Sequence, residues 1–376
     1  MEFLLEGITA ISWQQVVMWL IGGVLIFLAI KKKMEPALLL PMGFGAILVN
    51  IPLSGVLGES GIIQWLFNVG IEASEALPLL LFIGIGAMID FGPLLSNPKL
   101  LLFGAAAQFG IFATILAAAG IGLIPGIEFS LADITSIGII GAADGPTAIF
   151  VAMKSGTAYL PAITVAAYSY MALVPIIQPP VIKLATTKKE RLIRMEYSPK
   201  NVSKLTRILF PILVTLVAGL VAPASVALVG FLMFGNLIRE CGVLDSLSET
   251  AQKVLANLVT LLLGITIAFQ MQATHFLSWG TLWIMGLGIV AFVFDTLAGV
   301  FLAKFINLFS KKKINPMVGA AGISAFPMAS RVVEKMGIAE DKENHLLMHA
   351  AGANVAGQIA SVIAGGVLIA LLGIGG

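Results

Sequence analysis

The sequence predicts an all-α, polytopic integral membrane protein built of two inverted-topology repeats, each carrying a re-entrant broken-helix hairpin. Three observations carry this. Of 376 residues, 59% are hydrophobic and only 11% charged, against about 25% charged in a soluble domain. The apolar residues fall in stretches mostly long enough for the helix of about 20 residues that crosses a ~30 Å hydrocarbon core. Two of those stretches are interrupted by Gly and Pro where the charge pattern forbids a simple crossing. A water-facing surface needs more charge than this, so a soluble enzyme, a nucleic-acid binder and a peripheral protein are excluded. Long Gly- and Ala-rich apolar runs also exclude a transmembrane β-barrel.

The first half, 1–187, holds apolar stretches at about 8–30, 36–53, 77–95, 99–124, 134–153 and 159–183. The second, 208–376, holds them at about 208–222, 224–238, 255–273, 279–308, 315–333 and 346–372. The pair at 208–222 and 224–238 is short and spans only if flanking residues join. Between the halves lies a basic cytoplasmic connector, 188–207. The N-terminus is acidic (Glu2, Glu6) and Lys31–Lys33 follow the first apolar run, the reverse of a cleavable signal peptide. Cys241 is the only cysteine, so an intrachain disulfide is excluded, and the net charge of +2 points to no charged partner.

Charge placement sets the topology. Lys31–Lys33, Lys311–Lys313 and the run Lys183, Lys188, Lys189, Arg191, Arg194, Lys200, Lys204 and Arg207 hold more than half of the 22 basic residues. The positive-inside rule puts all three clusters in the cytoplasm. Residues 34–98 lack Lys and Arg but contain Glu59, Glu72 and Glu75, so part of that stretch lies outside. Counting crossings from Lys33, a full crossing at 134–153 would strand the connector outside. A hairpin entering from outside removes the conflict, and Gly138, Gly141, Gly145 and Pro146 supply the break. The same puzzle recurs at 315–333, with Pro316, Gly319, Gly322 and Pro327 between cytoplasmic Lys313 and Lys335. There a hairpin enters from inside.

The halves echo each other: Pro36-Ala37…Gly43-Phe44 returns as Pro223-Ala224…Gly230-Phe231, and Gly141-Ala142-Ala143 as Gly319-Ala320-Ala321. Inverted repeats with two interrupted helices point to a transport site near the bilayer midplane. The alternative is that Gly and Pro only permit close helix packing.

Asp144 is the sharpest residue. A carboxylate at membrane depth costs about 2.5–3.5 kcal/mol on insertion scales unless it pairs, binds a cation or carries a proton. Carbonyls freed by the broken backbone can complete a shell for Na⁺, and capping of the hairpin helix is the alternative. In the second hairpin, Asn315, Ser324 and Arg331 offer oxygens and a cation; each also has a plain role as helix cap, back-bonded hydroxyl and inside-facing anchor. Tyr168 and Tyr170 sit in an apolar span, where hydroxyls usually find a helix partner. Asn354 lies in the corresponding final span. Asp90 reads as a cap, and Asp295 as a second carrier or a helix-pairing acid. His345 and His349 have metal-pair spacing but no clear third ligand, so no transition metal is expected. A nucleotide-binding Gly-rich Lys/Ser motif is missing, which argues against an ATP-driven pump.

Three motifs carry a family resemblance: Gly86-Ala87-Met88-Ile89-Asp90-Phe91-Gly92-Pro93, Asp144-Gly145-Pro146-Thr147, and Asn315-Pro316-Met317-Val318-Gly319-Ala320-Ala321-Gly322-Ile323-Ser324-Ala325-Phe326-Pro327. They resemble the membrane β subunit of biotin-dependent, sodium-translocating decarboxylases acting on oxaloacetate, methylmalonyl-CoA or glutaconyl-CoA. Position 89, often Thr in that family, is Ile here. The resemblance implies an elevator-like multi-pass protein of the cytoplasmic membrane. It would decarboxylate carboxybiotin, export Na⁺ and consume a proton. Implied catalytic residues are Asp144, Tyr170 and Arg331; implied Na⁺-binding residues are Asp144, Asn315, Gly319, Ser324 and Asn354. Implied partners are a carboxyltransferase α subunit, a biotin carrier subunit bearing the biotin, a small γ-type membrane subunit and, as a homotrimer, further copies of the chain. The rival reading is a stand-alone sodium-coupled carrier of an organic anion.

Overall fold

Helices occupy most of each apolar stretch, and several of them open on an identifiable side-chain cap. The computed structural model of the protein describes residues 2–33, 36–58, 60–73, 76–124, 127–157, 159–196, 202–277 and 279–373. Glu59 and Glu75, read as marking the outer side, and Lys200 of the connector lie outside them. No strand occurs among the described residues. The first long helix, Trp13–Lys32, opens on a capping box: Gln15 N–H donates to Ser12 Oγ at 3.3 Å, and Ser12 N–H to Gln15 Oε1 at 2.8 Å. It closes at Lys33 in the left-handed region, whose N–H reaches the Leu28 carbonyl.

Among the described residues six helices are long and apolar enough to cross a bilayer: Trp13–Lys31, Pro98–Ile121, Lys204–Val221, Asp245–Met271, Trp279–Phe309 and Leu347–Leu371. Lys204–Val221 reaches this length because basic residues at its start join the helix, and Ser203 caps it by accepting from Thr206 N–H at 3.1 Å. Its side chains Leu205, Leu213, Leu216 and Leu220 are exposed, the surface expected against lipid. By contrast, most of Leu347–Leu371 is buried, so this final helix runs through the interior.

Two corrections concern the first half. Residues 54–76, which fall between the apolar stretches 36–53 and 77–95, contain a helix Ile62–Phe67 continued by a π turn, Asn68–Glu72. Gly58, Gly61, Asn68 and Gly70 dilute its apolar signal. The stretch 159–183 is a helix, Leu160–Ala185, but Ala162–Met171 and Leu173–Ala185 meet at 67°. Pro175 explains the bend: it lacks the N–H that would bond the Met171 carbonyl, and its ring crowds that oxygen.

Both Gly/Pro-interrupted stretches are broken helices. In the first, Leu131–Gly138 tightens into a 3₁₀ turn, Ile139–Ala142, and stops at Ala143, a non-glycine residue at φ 54°. Asp144 is extended, and Gly145–Ser155 starts anew with Pro146 in its first turn. The arms fold back on one another, because Ser136 Oγ and Ser155 Oγ meet at 2.5 Å and Thr157 Oγ1 donates to Asp133 Oδ1 at 2.5 Å. The second comprises Pro316–Ala320, a turn region, and Met328–Glu340, again packed against each other.

Candidate functional site: two helix breaks joined by the final helix

Asp144 takes the N-cap position of Gly145–Ser155, its carbonyl accepting from Ala148 N–H at 2.9 Å. The capping alternative therefore holds for its backbone, while the carboxylate has other business. Thr147 Oγ1 donates to Asp144 Oδ2 at 2.5 Å and Ser361 Oγ to the same oxygen at 3.3 Å. All three side chains are buried. Tyr168 packs its ring directly on Gly145, and its buried hydroxyl has no hydrogen-bond partner among the described residues. That overturns the expectation that its hydroxyl finds a helix partner. Tyr170 does find one: its hydroxyl donates to the Met285 carbonyl of Trp279–Phe309, and its ring lies 5.9 Å from Phe292.

At the second break the freed carbonyls are held from the final helix. Asn354 Nδ2 donates to the Ile323 carbonyl at 2.5 Å, and Gln358 Nε2 to the Ser324 carbonyl. Ser324 Oγ returns a bond to the Gly357 carbonyl at 2.8 Å. Asn354, Gln358 and Ser361 stand at i, i+4 and i+7, one face of one helix. That single face reaches both breaks. The amide oxygens of Asn354 and Gln358 are buried and accept nothing among the described residues. Unpaired buried acceptors cost about 1–3 kcal/mol each unless something supplies positive charge or a donor.

The other expected site residues are placed as follows. Asn315 caps Pro316–Ala320, accepting from Met317 N–H at 3.1 Å. Its amide nitrogen donates to the carbonyls of Arg191 at 2.8 Å and Ile193 at 2.9 Å, so it pins the connector to the second broken segment. Gly319 packs backbone to backbone on Gly299: a Cβ on either would overlap the other's carbonyl oxygen. Neither is hydrogen-bonded to Asp144, Ser324 or Asn354. Arg331 is exposed on Met328–Glu340, and its side chain makes no hydrogen bond or ion pair among the described residues. Asp90 accepts from Gly92 N–H at 2.8 Å but is not the cap: Phe91 holds the N-cap position of Gly92–Ser96, and Asp90 also faces Arg207 at 3.7 Å. His345 pairs with Glu334 at 3.0 Å.

Sequence reasoning passed over Gln358, Ser361 and Thr147. The one-face spacing in an otherwise apolar run was the available signal. Outside the spans, the connector is clamped by Arg191 on Glu340 at 2.6 Å and by Arg194 on Asp341 and Glu343, each at 2.5 Å. Its Arg194 holds the Asp341 carboxyl below the ordinary range through a direct hydrogen bond.

Interrupted helices with freed carbonyls, beside six helices long and apolar enough to cross a bilayer among the described residues, define a polytopic membrane protein. Comparison with known proteins narrows the class. Residues 14–372 match the family described as Na⁺-transporting oxaloacetate decarboxylase beta subunit. The chain is 45% identical to the oxaloacetate decarboxylase beta chain of Haemophilus ducreyi, over 96% of each chain. It is 46% identical to the methylmalonyl-CoA decarboxylase subunit beta of Propionigenium modestum, over 98% of this chain and 97% of the relative. It is also 46% identical to the glutaconyl-CoA decarboxylase subunit beta of Acidaminococcus fermentans, over 98% and 96%. The chain belongs to this family: it is an integral membrane β subunit of the Na⁺-translocating decarboxylase type.

Proposed function

We propose that this chain decarboxylates carboxybiotin presented by a biotin carrier subunit and uses the free energy to export Na⁺, consuming one proton. The observation that carries the reading is the buried Asp144 carboxylate, set in the first helix break and linked to the second by one face of the final helix. Oxygens suited to Na⁺ are the Asp144 carboxylate, Ser324 Oγ, Asn354 Oδ1, Gln358 Oε1 and Ser361 Oγ. Asn315 and Gly319 contribute by fixing the second broken segment in place. In the reaction the N–CO₂ bond breaks, its electron pair stays on the ureido nitrogen, and that nitrogen takes the proton. Exposed Arg331 attracts the carboxylate of carboxybiotin at the cytoplasmic mouth, and Tyr170, bonded to the central helix, assists the proton's passage.

In this reading the repeats 1–187 and 208–376 are inverted copies joined by 188–207, and the broken segments move in an elevator-like cycle. A carboxyltransferase α subunit loads the biotin; a small γ-type subunit and a homotrimer complete the complex. Relatives named for three different acids match at 45–46% identity, which supports a choice of acid made on another subunit.

The test is reconstitution of the purified chain in liposomes, alone and with a carboxybiotin-loaded carrier. Carrier-dependent ²²Na⁺ movement with CO₂ release is expected. Organic-anion uptake by the chain alone would overturn the proposal.

A further inference from the structure

A second carboxylate lies deeper than Asp144 and outside everything assigned above. Asp295 sits midway along Trp279–Phe309, about 24 Å from one end and about 21 Å from the other at 1.5 Å per residue. It is fully buried, and neither carboxylate oxygen has a hydrogen-bond partner of good geometry among the described residues. The helix it faces is interrupted: Leu101–Ala107 and Phe109–Ile121 meet at a turn on Gln108, and Gly110 stands in the first turn of the second part. A Cβ on Gly110 would overlap Asp295 Oδ1 and lie 2.7 Å from the Ala291 carbonyl oxygen, one turn back on Asp295's own helix. The carboxyl is therefore wedged against a glycine, beside a carbonyl oxygen, with the Gly110 N–H as its nearest donor.

The two buried acids differ in the chemistry around them. Asp144 Oδ2 is met by two hydroxyl donors, an arrangement that suits a negative charge. Asp295 is met by no hydroxyl and both its oxygens are buried without a partner among the described residues, an arrangement that leaves a charge uncompensated and suits a carboxyl that keeps its hydrogen. Other titratable groups on the elements packed against this helix are few. Tyr168, Tyr170 and Lys183 lie on Leu160–Ala185, and Asp133 on Leu131–Gly138; the other packed segments, 101–107, 109–121, 139–142 and 316–320, carry none. Tyr168, Tyr170 and Asp133 are acids and supply no counter-charge to a carboxylate, and Lys183, the one base among these groups, is exposed while Asp295 is fully buried. Gly110 also abuts Gly141 of the first broken segment: a Cβ on Gly141 would lie 2.7 Å from the Gly110 carbonyl carbon. A change at Asp295 is thus two glycine backbones away from the turn that carries Asp144.

We propose that Asp295 is a proton-binding site at mid-membrane, distinct from the cation site at Asp144, through which the proton of the reaction passes. This rests on the reading that decarboxylation consumes a proton. The hydrogen is carried on the carboxyl, released toward the cytoplasmic side to the ureido nitrogen, and replaced from the opposite side, so that one proton enters per CO₂ released. Loss of that hydrogen leaves an unpaired charge against Gly110, which favours the adjoining turn shifting away.

The test uses the intact complex with its biotin carrier in proteoliposomes. Infrared difference spectra should contain the carbonyl stretch of a protonated carboxyl that disappears in Asp295→Asn and changes during turnover. In that variant, the rate of CO₂ release, and with it the rate of proton uptake, should fall about 10²-fold and lose its dependence on external pH, while ²²Na⁺ binding is retained. A spectrum that Asp295→Asn leaves unchanged, a carboxyl band silent during turnover, or wild-type proton uptake in the variant would overturn the proposal. Should the variant fail to assemble, a pH titration of the wild-type band decides: its absence across neutral pH sinks the site. If the wild-type complex does not act on carboxybiotin, the functional reading fails while the band still reports on Asp295.

Discussion

Ser361 Oγ stands 3.3 Å from Asp144 Oδ2 and 3.0 Å from the Gln358 carbonyl, linking residues 217 positions apart in sequence. Through this serine, the helix that braces the second break also touches the carboxylate of the first. Hydrogen bonds to a charged group are worth about 1.5–3 kcal/mol, so the link is energetically substantial where no water competes.

Asp144→Asn removes the charge and keeps the shape. We expect Na⁺-dependent decarboxylation and ²²Na⁺ transport by the reconstituted complex to be abolished, with the variant purifying in the same assembly as wild type. Full pumping by this variant would sink the assignment of Asp144.

Gln358→Leu and Asn354→Leu each leave a buried backbone carbonyl without its donor. Each should cost about 1–3 kcal/mol of stability and weaken Na⁺ protection against thermal unfolding. Because both act on adjacent carbonyls, at Ile323 and Ser324, the double variant should depart from additivity by about 0.5–3 kcal/mol. Melting temperatures with and without Na⁺ measure both effects.

Gly319→Ala places a methyl group on the Gly299 carbonyl oxygen. Overpacking of this kind costs about 1–3 kcal/mol. Gly299→Ala should do the same from the other side, and an intact melting temperature in either would show that the two backbones are not in contact.

Arg331 is exposed and unpaired among the described residues, so its replacement breaks nothing in the fold. Arg331→Ala should leave the melting temperature within about 0.5 kcal/mol of wild type while raising the KM for carboxybiotin. A fall in kcat with unchanged KM would contradict a docking role.

The clamp on the connector is expected to respond to acid. Arg194 lowers the Asp341 carboxyl below its ordinary value of 3.8. A depressed folded value means that the stabilisation is complete above pH 3.8 and is lost as pH falls through the lowered value. Proteolytic cleavage of the connector should therefore be flat from neutral to mildly acidic pH and rise below this point. Asp341→Asn should reduce the pH dependence, since Glu340 and Glu343 stay in the clamp, and high salt should weaken the clamp at every pH.

Much of this architecture is legible in residue order alone. Apolar runs located the long helices, and Gly141, Pro146, Pro316 and Pro327 located the breaks, because the missing N–H of proline and the poor helix propensity of glycine are local properties. Asp144 was legible because charge is scarce. What packing decides was not. Tyr168 and Tyr170 are two positions apart and so point about 200° apart around their helix; only the fold selects Tyr168 to lie on Gly145. The bonds from Asn354 and Gln358 reach residues 31 and 34 positions away, beyond any local pattern. Asn315 looked like an oxygen donor to an ion, yet its amide nitrogen is committed to connector carbonyls that no spacing rule could supply.

The polar face of the final helix also gives the molecule a ratchet tooth. Asn354 and Gln358 are one turn apart and present the same amide chemistry to neighbouring carbonyls. A slide of one turn, about 5.4 Å, would bring Gln358 to the station Asn354 had occupied, while Ser361 would leave Asp144. Both broken segments are geared to one shaft, so neither can shift a notch without the other registering it.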